Sequence, residues 1–369
     1  MGGFMSNLMK SLSGICIIIF LSASAIAQIY PTDVTITKEV KTTSVKDQGN
    51  TGTCWDFSTL SFLESELLKS TGKEYDLSEM YVVRNSYPDK AGYYVRLHGN
   101  KSFSQGGQGH DAINAIKKYG IVPEEVYSGI KIPKKGYDHT LMETKLKGKL
   151  DLAVKSMEKT RCTGYQEDIR MILDQDLGPA PQVFQFEGKN FTPTQFVHEI
   201  KLNLDDYIEI TSYNHHPFYS RFVLEIPDNW SNDMYYNVPI DDLILIMEYA
   251  INNGYTIDWD GDVSEPGFNQ YRGFAVLPDE NATVTQEDRQ LEFETWLTTD
   301  DHLMHINGLA KDKDGKKYFV TKNSWGITGR YQGFINMSEK YVRLKTICIL
   351  INKNALPPDI AAKLGLTAK

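Results

Sequence analysis

Apolar residues in this chain recur in two rhythms, and the change between them divides it. From Cys54 to Leu68 they return three and four apart, with acids on the other side, which predicts an amphipathic helix whose first turn holds Cys54. Ahead of it, the polar, glycine-punctuated run from Thr42 to Thr53 reads as an irregular loop. A second helix is predicted from Gly109 to Tyr119, stopped by Gly120. Residues 135–180, rich in Lys, Leu, Glu and Met, read as largely helical, and two helical patches follow, Thr194–Asn203 and Ile240–Asn252. The rhythm then shortens. His302–Ala310, Tyr318–Lys322, Phe334–Asn336 and Thr346–Asn352 are short runs of β-branched and aromatic residues, the first two joined by the hairpin turn Asp312-Lys313-Asp314-Gly315. Helices first and an antiparallel sheet last predict an α+β fold with two lobes.

The first 27 residues are set apart. Lys10 is their only charge, an apolar run follows from Ile15 to Leu21, and small residues end at Ala25-Ile26-Ala27. That pattern predicts a signal peptide over 1–27, cleaved near Ala27, and an exported, periplasmic or extracellular mature chain. The apolar run is short of the roughly 20 residues that span a bilayer, so no membrane association is expected after cleavage. The whole sequence of 369 residues has 39 basic and 48 acidic side chains, a net −9; losing Lys10 makes it −10. Such a balance argues against a nucleic-acid partner, whose phosphates need neutralising. Three cysteines remain, Cys54, Cys162 and Cys348, so pairing in an oxidising compartment leaves one thiol over. Whether Cys162 and Cys348 are bonded is left open.

Cys54 stands where a thiolate is favoured, at a helix N-terminus fed by a glycine-rich loop. A nucleophile of this kind needs a base, a group that orients the base, and donors for an oxyanion. Gln48, six residues earlier, can fold back to aim its amide at the same point, with the Cys54 N–H as the second donor. His302 opens one strand and Asn323 ends its partner, so the Asn323 carbonyl can fix the imidazole.

Gln48…Cys54-Trp55-Asp56-Phe57-Ser58, His302 and Asn323-Ser324-Trp325-Gly326 resemble, in type and order, the papain-like cysteine peptidases. Gln105-Gly106-Gly107-Gln108 is similar to the segment with which that family binds the peptide backbone beside the cleaved bond. The spacing of 248 positions from Cys54 to His302, with Lys118-Tyr119-Gly120-Ile121-Val122-Pro123, Phe191-Thr192-Pro193 and Asn237-Val238-Pro239-Ile240-Asp241, resembles the bleomycin hydrolase and aminopeptidase C branch.

The resemblance implies a papain-like two-lobed fold over 28–369: a helical lobe at about 42–130, a mostly helical insertion at about 131–255, a β lobe at about 256–352 and a short tail at 353–369. It implies peptide substrates and a catalytic Cys54–His302–Asn323 triad working through a thioester. Gln48 and the Cys54 N–H would form the oxyanion hole, Gly106 and Gly107 would bind substrate, and Trp55 and Trp325 would support the site. No metal or organic cofactor is implied, and self-association is left open. In that branch a C-terminal arm makes the enzymes aminopeptidases. The resemblance therefore implies an aminopeptidase, while the short tail, only nine residues after Leu356-Pro357-Pro358-Asp359-Ile360, gives an open-groove endopeptidase as the alternative. A non-catalytic peptide-binding relative is the alternative of another class.

Four features have rival readings. Asp56 adds a charge near the nucleophile and is expected to be a solvated helix side chain. His305 competes with His302, but strand alternation puts it on the other face, as a structural residue. His215-His216 reads as loop surface rather than a metal site. Asp258-x-Asp260-Gly261-Asp262 lacks the spacing of a calcium loop and reads as a turn after a buried strand.

Overall fold

A computed structural model describes residues 30–131, 136–156 and 164–366. The proposed leader, Cys162 and the last three residues lie outside them.

Most of the predicted helices form with little change, but the one expected over Thr194–Asn203 is shorter, Pro193–Glu199, with a separate 3-10 turn at Leu204–Asp206. Cys54–Thr71 ends at Gly72, whose left-handed backbone (φ 71°) lets its N–H return to the Leu68 carbonyl. Gly109–Tyr119 and Ile240–Asn252 have the expected bounds, and Thr140–Ser156 and Tyr165–Asp176 fill the Lys- and Leu-rich stretch. Glu79–Arg96 is a further helix, capped by the Ser78 hydroxyl on the Tyr81 N–H and carrying Pro88 inside it. A proline at that place hides a helix from sequence periodicity.

Eleven strands among the described residues form the main sheet. Its centre is Ile257–Gly261, antiparallel to His302–Asp312 on one side and Thr346–Asn352 on the other. His302–Asp312 continues past that partner, and Val34–Glu39 pairs with its far end, from Gly308 to Asp312. Lys317–Lys322 and Phe334–Ser338 follow as an antiparallel meander. Two pairings are parallel, Phe274–Ala275 with Phe334–Ser338 and Tyr207–Thr211 with Met234–Asn237. The 131–255 segment is therefore not mostly helical throughout. Its second half gives three strands, Tyr207–Thr211, Arg221–Val223 and Met234–Asn237, to the main sheet.

Alternation along His302–Asp312 sets two cores. Leu303 joins the helical core with Leu60, Phe62, Met80 and Ile113. Met304 and Ile306 face the other way, onto Leu243 and Met247 of the Ile240–Asn252 helix. The sheet thus has the Cys54 helix on one face and Ile240–Asn252 on the other.

Two expectations about charge are corrected. The acids of the Cys54 helix are not solvated: Glu64 is fully buried and accepts from Thr43, Lys46 and the Leu77 N–H, while Glu66 accepts from Asn352. Asp56 is also fully buried, and neither of its oxygens has a partner. Burial, then the Glu79 charge, holds its pKa well above the usual range, so it is protonated and adds no charge near the nucleophile. The acidic run at 258–262 is not a turn either, since Asp258 and Asp260 lie inside the central strand and are 1% exposed. Asp258 survives there because Ser58 and Thr59 donate to it at 2.5 and 2.7 Å.

This buried charge makes stability pH-dependent. Burial raises Glu66, Glu79 and Asp258 to about 7 and Glu124 to about 8. Burial opposes the charge of His110, yet Glu209 and Asp111 hold its pKa up to about 9. In each case the folded chain keeps protons that the unfolded chain gives up, so stability is lost as pH rises through these values. His139 and His302, pushed down to about 4 by burial, oppose the trend only until their unfolded imidazoles, with the usual value of 6.5, have lost their protons, which is nearly complete by about pH 7.5, and they are outnumbered by the raised groups. Lys322, lowered to about 8 by burial, opposes the trend only above that pH. The melting temperature should therefore fall between pH 6.5 and pH 8. Asp56→Asn, which cannot ionise, should flatten the slope, as calorimetry on both proteins would show.

Candidate active site

Cys54 is the first residue of its helix, where the backbone N–H groups have no acceptor within the helix. The thiol is 8% exposed and opens onto a cavity of about 390 Å³ lined also by Gly106, Gly107, Asp228, Asp300 and Leu303. The Leu303 N–H points to the sulfur. This ties the helix start to the start of the His302 strand.

His302 Nε2 lies 2.8 Å from Asn323 Oδ1, so the expected contact across the hairpin forms. Asn323 is fixed in turn, its amide donating to Gln270 Oε1 at 2.8 Å and its Oδ1 also accepting the Ser324 N–H. With Nε2–H donating to Asn323, the proton-free nitrogen is Nδ1. Trp325 stacks on the imidazole, with centroids 4.7 Å apart, and shields that contact.

Gln48 is braced rather than loose. Its Nε2 donates to the Thr51 carbonyl at 2.8 Å and its Oε1 accepts from Ser324 Oγ at 2.6 Å. A primary amide has two N–H groups, so one remains for an oxyanion. The Gln48 loop is laced to the Asn323 loop by Gln48 N–H to Ser324 O and Gly326 N–H to Lys46 O.

Gly106 and Gly107 are held beside the thiol by Gln105, which accepts the Gly52 N–H on its side chain and Trp55 Nε1–H on its carbonyl. Lys90 Nζ donates to the Gly106 carbonyl. A side chain is excluded at both glycines, since a Cβ at Gly106 would stand 1.8 Å from Asp228 and one at Gly107 3.1 Å from the Trp55 ring. Sequence reasoning missed the parts played by Gln105, Lys90, Asp228 and Asp300. Asp300, two residues before His302, carried a local signal; Asp228 and Lys90 carried none.

His305 faces the helix and bonds Ser61 through Nδ1 at 2.7 Å. His215 and His216 do lie on a loop surface, where both Nε2 atoms approach Glu225, at 3.1 and 2.8 Å. The Gln290 amide donates to His215 Nδ1, which puts that ring's proton on Nε2 and directs it at the carboxylate. A hydrogen bond accounts for the contact without a cation. Cys348 is a free, buried thiol that donates to Gln108 Oε1.

Burial, then the charges of Asp260, Asp300 and Asp228, pushes the Cys54 thiol up to about 12, against which the Leu303 N–H works. His302, desolvated, falls to about 4. The resting pair is thus a thiol and a neutral imidazole. Alkylation of Cys54 by iodoacetamide should be slow at neutral pH and still rising at pH 9. Burial, then the Asp228 charge, raises Asp300 to about 8, so Asp300→Asn removes a like charge only where Asp300 is ionised and should speed alkylation above about pH 8.

A thiol at the start of a helix, in a cavity it shares with Leu303 of the strand that His302 opens, between a helical core and a sheet, is the papain-like arrangement. Residues 22–367 match the Peptidase C1-like family, and the chain belongs to that family of papain-like cysteine peptidases. It is 26% identical to aminopeptidase G of Lactobacillus delbrueckii subsp. lactis, over 87% of this chain and 83% of that protein. Bleomycin hydrolase of Gallus gallus is 22% identical, over 86% and 82%. The crystal structure of PepW from Lactobacillus rhamnosis superposes with a TM-score of 0.74 at 20% identity, covering 93% of this chain and 86% of that one. That likeness supports the papain-like α+β fold.

Proposed function

We propose that this chain hydrolyses peptide bonds through Cys54, His302 and Asn323. The observation that carries the reading is the His302–Asn323 contact of 2.8 Å, in a site where the Leu303 N–H meets the Cys54 thiol. His302 Nδ1 takes the thiol proton as sulfur attacks the carbonyl, then returns it to the departing amine. The Cys54 N–H and the spare Gln48 N–H receive the oxyanion. Water, deprotonated by the same imidazole, cleaves the thioester. Because the thiol rests protonated, transfer to His302 accompanies attack instead of preceding it. Gly106 and Gly107 let the substrate backbone lie against the cleft floor.

Among peptidases, removal of amino-terminal residues is the favoured mode: the relatives are named aminopeptidases, and the cleft wall carries Glu143, Asp228, Asp300 and Asp301. Export through a cleaved leader over 1–27 belongs to the same proposal. It would place the enzyme outside the cytoplasm, where the Cys54 thiol needs reductant.

Purified protein in reductant should cleave a fluorogenic peptide with a free amino terminus, and Cys54→Ala should abolish this. Asn323→Ala should lower kcat by about tenfold or more, by loosening the imidazole. Equal cleavage of an acetylated peptide would make the enzyme an endopeptidase. No cleavage with the thiol titrated free would sink the catalytic reading in favour of peptide binding.

A further inference from the structure

Beside the nucleophile cavity lies a second, narrower one of about 230 Å³. Asp228 and Asp300 line both, so together they form the doorway between them. The inner walls are apolar and aromatic: Ile226, Phe293, Ile347 and Trp296. Trp296 is 71% exposed and sits in the left-handed region at φ 59°, a conformation that a bulky residue rarely holds. Glu225 and Glu294 complete the rim, and among the described residues no Lys, Arg or His lines this cavity.

The doorway acids have been given partners that leave them capacity. Gln108 Nε2 donates to Asp300 at 3.1 Å, and protonated Asp260 donates to it from behind. Asp260 itself is 1% exposed, and its Oδ1 has no partner. Asp228 accepts from Ser104 at 3.3 Å and lies in the field of Lys90, which balances one of these charges. A carboxylate can accept about four hydrogen bonds, so Asp228 retains lone pairs for a donor from the cleft, and Asp300, raised to about 8 by burial and then by the Asp228 charge, is drawn into ionisation by a cation seated beside it. An aromatic face next to carboxylates is the chemistry that recognises an organic cation. The size suits one extended side chain rather than a folded ligand.

Resting on the peptidase reading above, we propose that this side pocket selects substrates carrying a cationic nitrogen close to the cleaved bond, received by Asp228 and Asp300 with Trp296 as the aromatic wall. The nitrogen has two sources, the side chain of a basic residue or the α-ammonium of the substrate.

At each of the two residues before the cleaved bond, four matched peptides separate them, with arginine or its neutral isostere citrulline there, each free or acetylated. A basic side chain as occupant gives a kcat/KM about tenfold higher for arginine than citrulline in the acetylated pair. The α-ammonium as occupant gives the same factor for free over acetylated, with arginine and citrulline equal. Asp300→Asn and Trp296→Ala should each bring the operative ratio towards one, and added salt should shrink it. Trp296 is exposed, so its variant tests the pocket even where Asp300→Asn disturbs folding. Equal rates for all four peptides would overturn the proposal and leave the peptidase reading standing. Binding of the same peptides to Cys54→Ala, followed calorimetrically, reads the pocket independently of catalysis: a cation preference sustains it with or without turnover, and equal affinities overturn it.

Discussion

The site depends on one contact, the Cys54 helix lying across the middle of the sheet. Its polar residues reach strand atoms at four places: Ser58 and Thr59 on Asp258, Ser61 on His305, Glu66 on Asn352, and the thiol against the Leu303 N–H. These are directional contacts in a water-poor interface, and a shift of the helix by one turn would leave buried polar groups without partners. Apolar packing alone tolerates sliding, whereas this set of partners fixes which helix residue meets which strand residue. The helix start that carries Cys54 is therefore held against the strand that His302 opens by groups that take no part in chemistry.

Two loops then close around the helix start. The Gln48 loop is laced to Ser324 and Gly326, which brings the amide donor and the imidazole-orienting Asn323 into one body. The Gly106–Gly107 loop is held by Gln105 to Gly52 and Trp55, with Lys90 on its carbonyls. Each loop belongs to a different part of the chain, yet both are anchored within a few residues of Cys54. This arrangement explains how a cleft between two cores can hold sub-ångström relations among residues far apart in sequence.

The parts of this design written as local pattern were legible in the sequence. Cys54, Gln48, His302 and Asn323 stand in motifs, and the last four strands advertise themselves by β-branched and aromatic residues; three of their bounds shift by one or two residues and Thr346–Asn352 holds unchanged. What escaped was set by tertiary burial. Asp258 and Asp260 look like a turn because acids rarely lie within a central strand; only the hydroxyls of Ser58 and Thr59, 200 and 199 residues away, make Asp258 tenable there. Asp56 reads as solvated for the same reason. The strands between 207 and 237 are short, and two of them border a parallel pairing that no hairpin signal announces. The doorway acids were invisible because Asp228 meets Asp300 only when those strands join the sheet.

The electrostatics of the cleft links binding to reactivity. A cysteine nucleophile is helped by positive surroundings, and here burial, and the Asp228 and Asp300 carboxyls when ionised, oppose ionisation of Cys54. That is a poor resting state for a thiolate and one that resists oxidation, since oxidation proceeds through the thiolate. A cationic group seated between Asp228 and Asp300 cancels two of the fields that hold the proton on sulfur. The substrate that fits the side pocket is then also the one that lowers the cost of moving that proton to His302. Selectivity of this kind shows in kcat as well as in KM, because the charge that binds the substrate is the charge that restrains the nucleophile.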